Sequence, residues 1–375
     1  MKVYTVTFNS NVNFGAKLQA YALARFLNNQ NDIECEILNY KYPGWDTSWR
    51  LFPKPKSFRD LLKNLYFALH VKDVIEIKKK HRILRKFVSD YMPVAKEEYD
   101  REKLLQSPPV ADAFVCGSDQ VWNLTRTLDL SFFLDFVKKG TAKKLSYAAS
   151  MAEPWTLEDI DIVKPWLNEF DGLSIREEGN LPQLREILPD KNPIVVCDPV
   201  FLLSKQEWES FSSTQLCPQE PYIFCYFIGM VPLATETVAK IRKRLGLKVV
   251  YLQLNLNTRD YFHSDKKIIA ANPKDFVGLI RNASFVITNS FHASAFSLIF
   301  KKNYVFLPKE KDNERIMSLM KMFKISDVFM TKEKLEKLTQ STLNVDYSLI
   351  DAVYKEFTDF SKNYLLDTLH GKKSN

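Results

Sequence analysis

One pattern limits this chain more than any other: short apolar runs that end in polar or glycine loops alternate with segments of helical spacing, and the alternation occurs twice. In the first 200 residues the runs at 3–8, 33–38, 113–116, 145–148, 173–175 and 194–197 read as strands, and 15–28 reads as a helix. Alternation of this kind is the signature of βα units wound about a parallel sheet. A stretch rich in Ser, Gln and Pro at 204–221 reads as a linker. Beyond it strands are expected at 222–228, 248–252 and 285–288, with helices at 235–244, 273–281 and 293–300. A length of 375 residues, at roughly 150 per domain, supports two domains. The expectation is an α/β protein of two Rossmann-like domains facing across a cleft. The first spans 1–205 and carries a basic helical insert at about 41–107, and the second spans 206–345. Residues 346–375 are expected to form a C-terminal helix that packs back on the first domain.

Several classes of protein are excluded. With 46% hydrophobic and 13% aromatic residues there is material for two cores, which removes disordered and fibrous chains. The longest apolar stretch, 222–234, contains Gly229 and Pro232 and falls short of the roughly 18 residues that cross a bilayer. The first eight residues hold one Lys and a β-rich run that leads into Asn and Ser, unlike a secretory signal. Cys35, Cys116, Cys197, Cys217 and Cys225 are odd in number and include no CxxC pair, so a reducing, cytoplasmic setting without disulfides or zinc is expected. No His/Asp/Glu cluster has ligand spacing, so no metal is expected.

The net charge of +8 is local. Between 41 and 96 there are 14 Lys or Arg against five Asp or Glu. Within that stretch Phe58, Leu61, Leu62, Leu65, Tyr66 and Leu69 recur on one face of a helix, with Arg59 and Lys63 off it. A second helix carries Lys78, Lys79, Lys80, His81 and Arg82. Two readings stand side by side: helices that cap the first domain with a solvated basic face, or a basic amphipathic helix against an anionic membrane surface. Nucleic acid is not an expected partner, because no reader motif is present and the charge does not reach the strand-end loops.

In doubly wound folds ligands bind beyond the carboxyl ends of the strands, and four such turns hold candidate residues. After the first strand, Asn13 and Gly15 open a helix whose N–H groups suit an anion or a sugar hydroxyl. This is not GxGxxG, so a nicotinamide cofactor is disfavoured, and a plain helix cap has the same letters. After 113–116 the run Gly117-Ser118-Asp119-Gln120-Val121-Trp122-Asn123 offers Asp119 as a base toward a hydroxyl and Trp122 as a platform for a sugar face. A capped turn over a core Trp explains it equally. Arg176, beside Glu177 and Glu178, sits where a guanidinium can hold a carboxylate or phosphate by two points, or pair with its neighbours. Asn289-Ser290-Phe291-His292 places one histidine of five at a strand-to-helix turn. Imidazole titrates near neutrality and can deliver a proton there, or serve as a hydrogen-bonded structural group.

In this order the pieces at 13–23, 117–123, 174–177, Asp198-Pro199 and 289–292 resemble the polysaccharide pyruvyl transferase family, over about residues 2–308. The resemblance implies a fold similar to GT-B glycosyltransferases with the active site in the cleft. It also implies phosphoenolpyruvate as donor substrate, no further cofactor, and a sugar diol as acceptor that becomes a cyclic pyruvate ketal. By the family's motif His292 maps onto a general acid and Arg176 onto a donor ligand. With the reading of the turns, His292 and Asp119 become the candidate catalytic residues. Arg176, Asn13, Gly15, Ser118, Trp122, Asn289 and Ser290 become the candidate substrate contacts. Many family members carry Arg two residues before that histidine, where this chain has Ser290; Arg315, opening the next helix, is the candidate replacement. Such acceptors are usually built on a polyprenyl diphosphate carrier. With the basic insert, that implies a protein peripheral on the inner face of the cytoplasmic membrane. Two other functions suit the same architecture: a nucleotide-sugar glycosyltransferase, and a non-catalytic membrane-associated scaffold in envelope polysaccharide assembly.

Overall fold

The computed structural model describes residues 1–375 apart from 10, 45–48, 51–53, 56, 127, 256–257, 259, 310–312, 349 and 373–375. The expectations for the side chains of Arg59, Lys63 and Tyr66 also lie outside the described residues.

Strands β1 (Lys2–Val6), β2 (Glu34–Tyr40), β3 (Val94–Tyr99), β4 (Ala113–Cys116) and β5 (Lys143–Ser146) make a parallel sheet in the order β3-β2-β1-β4-β5. All four residues of β4 are buried, as expected where helices cover both faces. Helices α1 (Phe14–Asn28), α2 (Phe58–Leu69), α3 (Val71–Tyr91) and α4 (Arg101–Gln106) connect these strands. The Asn13 side chain caps α1 by accepting from the Gly15 N–H at 2.8 Å. Most of α1 is buried on every side, because it lies between the first sheet and the second lobe, where Phe14 stacks on Phe276 at 5.5 Å. Helix α5 (Leu157–Leu167), β6 (Ser174–Ile175), α6 (Leu181–Ile187), β7 (Ile194–Val195) and α7 (Lys205–Phe211) complete this half. Parallel bridges from Leu145 to Gly172 and from Ala149 to Ile175 extend the sheet past β5.

The second lobe repeats the plan. β8 (Tyr222–Tyr226), β9 (Lys248–Leu252), β10 (Lys266–Ile268), β11 (Phe285–Thr288) and β12 (Tyr304–Phe306) form a parallel sheet in the order β10-β9-β8-β11-β12. It carries α8 (Ala234–Leu245), α9 (Pro273–Asn282), α10 (Phe291–Ile299), α11 (Glu314–Met322) and α12 (Lys332–Glu336). Helix α13 (Ile350–His370) crosses back to the first lobe, where Ser361 Oγ accepts from the Cys197 N–H at 2.9 Å and Lys143 Nζ donates to the Leu369 carbonyl at 2.7 Å. In each sheet the strand order reverses beside the first strand, between β1 and β4 and between β8 and β11.

Four details differ from the sequence reading. The segment at 41–107 is not helical throughout: Val94–Tyr99 joins the first sheet as its edge strand β3, and three consecutive charged residues conceal it. β5 lies two residues earlier than 145–148, because the chain turns at Ala148 with φ of 49°. The stretch at 204–221 holds α7, set by the Ser204–Glu207 capping box and the buried Trp208 and Phe211, so it is not a plain linker. Edge strands β10 and β12, three residues each, are too short to be read from pattern. Among the described residues no helix is long and apolar enough to cross a membrane.

Candidate active site

The two reversal points face one another, and between them lies a cavity of about 280 Å³. From the first lobe come Phe8, Asn11 and Asn13 after β1, Tyr42 after β2, and Asp119, Gln120 and Arg126 after β4. The second lobe brings Ile228 after β8, Asn289 to His292 after β11, Phe306 at the end of β12 and Lys309 beyond it, and the cap Asn313 with Arg315 and Ile316 at the start of α11. The N-termini of α1, α10 and α11 therefore open on the same space. Among the described residues no group of three or more His, Cys, Asp or Glu is placed to hold a metal ion.

His292 sits in the first turn of α10, whose cap is the Ser290 hydroxyl accepting from the Ala293 N–H at 3.4 Å. Its ring packs edge-on to Phe291 at 5.2 Å and is 7% exposed. Among the described residues the Nε2 atom has no hydrogen-bond partner, and it lies 3.7 Å from Asp198 Oδ2. Burial pushes the imidazole below its ordinary value of 6.5; Asp198 and Asp119 oppose that, while Arg176 and Arg315 add to it. The unliganded ring is thus held toward its neutral form. On the α1 side the ring is met by Gly15, where an added Cβ would fall 2.0 Å from Nδ1. This close approach is why glycine stands there.

Asp119 lines the cavity with a backbone φ of 71°, a left-handed conformation that non-glycine residues rarely adopt, and its Oδ1 accepts from the Gln120 N–H at 2.9 Å. Such outliers concentrate at functional sites. Asn289 lines the cavity while bonding both the N–H of Ile228 at 2.7 Å and its carbonyl at 3.0 Å, so it fixes the β8 loop to the β11 loop. Arg315 is in the cavity and makes no hydrogen bond or ion pair with the described residues, which leaves its guanidinium available.

Four sequence candidates do not line the cavity, one of them Gly15, which is buried against the His292 ring. Trp122 is fully buried, stacked on Phe133 at 5.5 Å, with Nε1 donating to the Phe132 carbonyl at 2.9 Å, so it is a core residue and not a sugar platform. Ser118 is also fully buried, and its hydroxyl donates to the Ala148 carbonyl at 2.9 Å. Arg176 is 1% exposed and does not line the cavity. Its Nη1 donates to Asp198 Oδ2 at 2.6 Å and its Nε faces Glu177 Oε1 at 3.4 Å. It lies behind His292, and both approach the same oxygen of Asp198.

The residues that sequence reasoning missed are Arg126, Lys309, Phe8, Tyr42 and the bridging role of Asp198. Phe8 and Tyr42, with ring centroids 5.1 Å apart, form the aromatic wall that Trp122 does not provide. Asp198 was visible only as part of a matching dipeptide. The other four carried no local signal, since folding alone brings them to the cleft.

A sequence profile described as polysaccharide pyruvyl transferase matches residues 13–308, more than three quarters of the chain. The chain belongs to the polysaccharide pyruvyl transferase family. Membership implies transferase activity and a place in polysaccharide biosynthesis. Lys309, Asn313 and Arg315 fall just beyond the matched span, so that part of the cavity wall lies outside the family pattern. No curated protein matches the chain. Among solved structures it is similar to UDP-GlcNAc 2-epimerase from Neisseria meningitidis bound to UDP-GlcNAc, with a TM-score of 0.53 and 11% identity over 99% of this chain and 100% of that one. The Rickettsia bellii UDP-N-acetylglucosamine 2-epimerase gives 0.54 and 10% over 99% and 96%, and the Methanocaldococcus jannaschii enzyme 0.51 and 12% over 99% and 100%. At that identity the likeness defines the fold alone, and the fold is GT-B.

Proposed function

We propose that the cleft moves pyruvate from phosphoenolpyruvate onto two hydroxyls of a sugar, forming a cyclic ketal and releasing phosphate. The observation that carries this reading is the convergence, in a chain of this family, of His292 with Arg126, Lys309, Arg315 and three helix N-termini around one cavity. Guanidinium groups and helix N-termini both stabilise a phosphate or carboxylate. Protonation of the donor's methylene carbon by the imidazolium of His292 leaves carbon 2 cationic. A sugar hydroxyl adds there while Asp119 takes its proton. The C–O bond to phosphate then breaks, its electron pair leaving with phosphate. The second hydroxyl adds to the same carbon, its proton going to the phosphate, and the proton on Asp119 returns to the imidazole through solvent.

The electrostatics support this assignment. Free His292 is held toward its neutral form by burial, but a donor bearing both phosphate and carboxylate beside it favours the charged ring. The donor would thus bring about protonation of the acid that it requires. Ser290 caps a helix where many relatives carry a guanidinium, and Arg315 would supply that charge from α11. The acceptor sugar would lie against Phe8 and Tyr42, carried on a polyprenyl diphosphate as a precursor of a surface polysaccharide.

Incubation with phosphoenolpyruvate and a panel of lipid-linked saccharides should release phosphate and add the mass of a pyruvate ketal to one of them. His292→Gln should lower that rate by about 10²–10⁴-fold. Consumption of a nucleotide sugar with no phosphate release from phosphoenolpyruvate would replace this reading with glycosyl transfer.

A further inference from the structure

The apolar stripe of α2 is turned to solvent, not toward the domain it would cap. Phe58, Leu61, Leu62, Leu65 and Leu69 are each between 51% and 74% exposed, and Val71 and Ile75 continue the patch onto α3 at 58% and 56%. The helix is not loosely placed: on its inner side Phe67 is 5% exposed and packs with Ile77 of α3 and Ile269 of the second lobe. Fixed this way, α2 presents a contiguous apolar surface that soluble monomers rarely show without a use for it. The same helical hairpin exposes Lys72, Lys78, Lys79, Arg82 and Lys86. Of its acidic residues, Asp73 pairs with Lys267 at 2.8 Å, Asp60 and Asp90 accept from the neighbouring Ser57 and Ser89 hydroxyls, and Glu76 lies 4.0 Å from Lys79, so the basic residues stay in excess.

We infer that α2 and the first turn of α3 form a docking surface for an anionic lipid bilayer, with α2 lying in the headgroup plane. Leucine and phenylalanine beside a cationic rim match acyl chains beneath anionic headgroups, and that charge complementarity favours lipid over a neutral protein groove. The surface is distinct from the cleft, so it stands whichever donor the cleft takes. If the proposed lipid-linked acceptor is correct, docking holds the cleft beside the membrane that carries it.

The test uses the full chain and vesicles of equimolar phosphatidylcholine and phosphatidylglycerol, read by co-sedimentation. The protein should bind these, bind pure phosphatidylcholine far more weakly, and release as salt rises. Leu61→Ser/Leu65→Ser should weaken binding by about 10- to 30-fold, from two half-exposed leucines that enter the bilayer. Lys78→Glu/Lys79→Glu should weaken it by a factor of about 25 or more, at roughly fivefold per basic residue. Both variants change outward side chains and should unfold at the wild-type temperature, and His292→Ala should bind vesicles as the wild type does. Absence of binding by folded protein would overturn the proposal. So would equal binding by the variants, or a self-association in solution that Leu61→Ser/Leu65→Ser abolishes, which would make the stripe an interface between copies.

Discussion

Replacing Gly15 with alanine tests whether the imidazole must stay where it lies. Two effects oppose each other. In a helix interior alanine is favoured over glycine by about 0.5–1 kcal/mol, and Gly15 is the second residue of α1, so this is the upper limit of the gain. Against it, the new Cβ would fall 2.0 Å from Nδ1 and 2.5 Å from Cγ of His292. Non-bonded carbons rest about 3.5–4.0 Å apart, so a gap of roughly 1.5 Å has to open. The ring is hemmed in by Phe291 at 5.2 Å and Asp198 at 3.7 Å, and such overpacking costs about 1–3 kcal/mol. The steric effect outweighs propensity, and a displacement of about 1 Å at a reacting group lowers its rate by about 10²-fold. Phosphate release from phosphoenolpyruvate, measured beside thermal unfolding, should show kcat down about 100-fold with a loss of only a few degrees in Tm. Gly15→Ala protein with wild-type kcat would refute the reasoning, since it would mean the ring can move freely or takes no part.

Other outcomes follow from the same geometry. Arg176→Ala should cost about 3–5 kcal/mol of stability by leaving the buried Asp198 and Glu177 without their counter-charge, seen as a lower denaturation midpoint. Arg315→Ala leaves no carboxylate unpaired among the described residues, so it should keep the fold and raise the KM for phosphoenolpyruvate, with about 1.5–3 kcal/mol lost from a charged hydrogen bond; an unchanged KM removes it from the site. Because burial holds the free imidazole below 6.5 and the donor raises it, kcat/KM should fall with rising pH at a lower value than kcat does. Coincident limbs would argue against donor-assisted protonation. Lys80 is buried between the lobes, and burial lowers its ammonium to about 7. The unfolded chain then binds more protons above that pH, so wild-type stability should rise relative to Lys80→Met from pH 7 to 9, by at most about 1.4 kcal/mol per unit. Parallel stability curves would contradict that.

What could be read in advance depended on how local its cause was. Strands such as Ala113–Cys116 and Phe285–Thr288 are buried along their whole length and almost entirely apolar because helices cover both sheet faces, and a run of that kind is visible without tertiary information. β3 is half solvated at a sheet edge, its middle reads Lys-Glu-Glu, and only pairing with β2 makes it a strand. The turn residues Asn13, Asp119 and His292 were legible because each follows a recognisable strand and meets the same cavity. Trp122 and Arg176 occupy equally suggestive positions and point inward, a choice made by packing against Phe133 and by Asp198, which sequence spacing does not encode. The α2 stripe had the periodicity of a core-facing helix, and nothing in that periodicity says which way the face turns.

The return of α13 to the first lobe bears on any attempt to dissect the molecule. Tyr364, Leu365 and Leu369 complete a core whose other members include Leu145, Cys197 and Phe201, so a polypeptide ending near 345 would leave a hydrophobic trench open along the amino-terminal half. Helix α3 adds a second tie in the opposite sense, donating Lys80 Nζ to the Leu254 carbonyl at 2.8 Å. Each half is thus closed by sequence that belongs nominally to the other. Separately expressed fragments should therefore aggregate unless they are co-produced, and calorimetry of the intact chain should record one melting event in place of two.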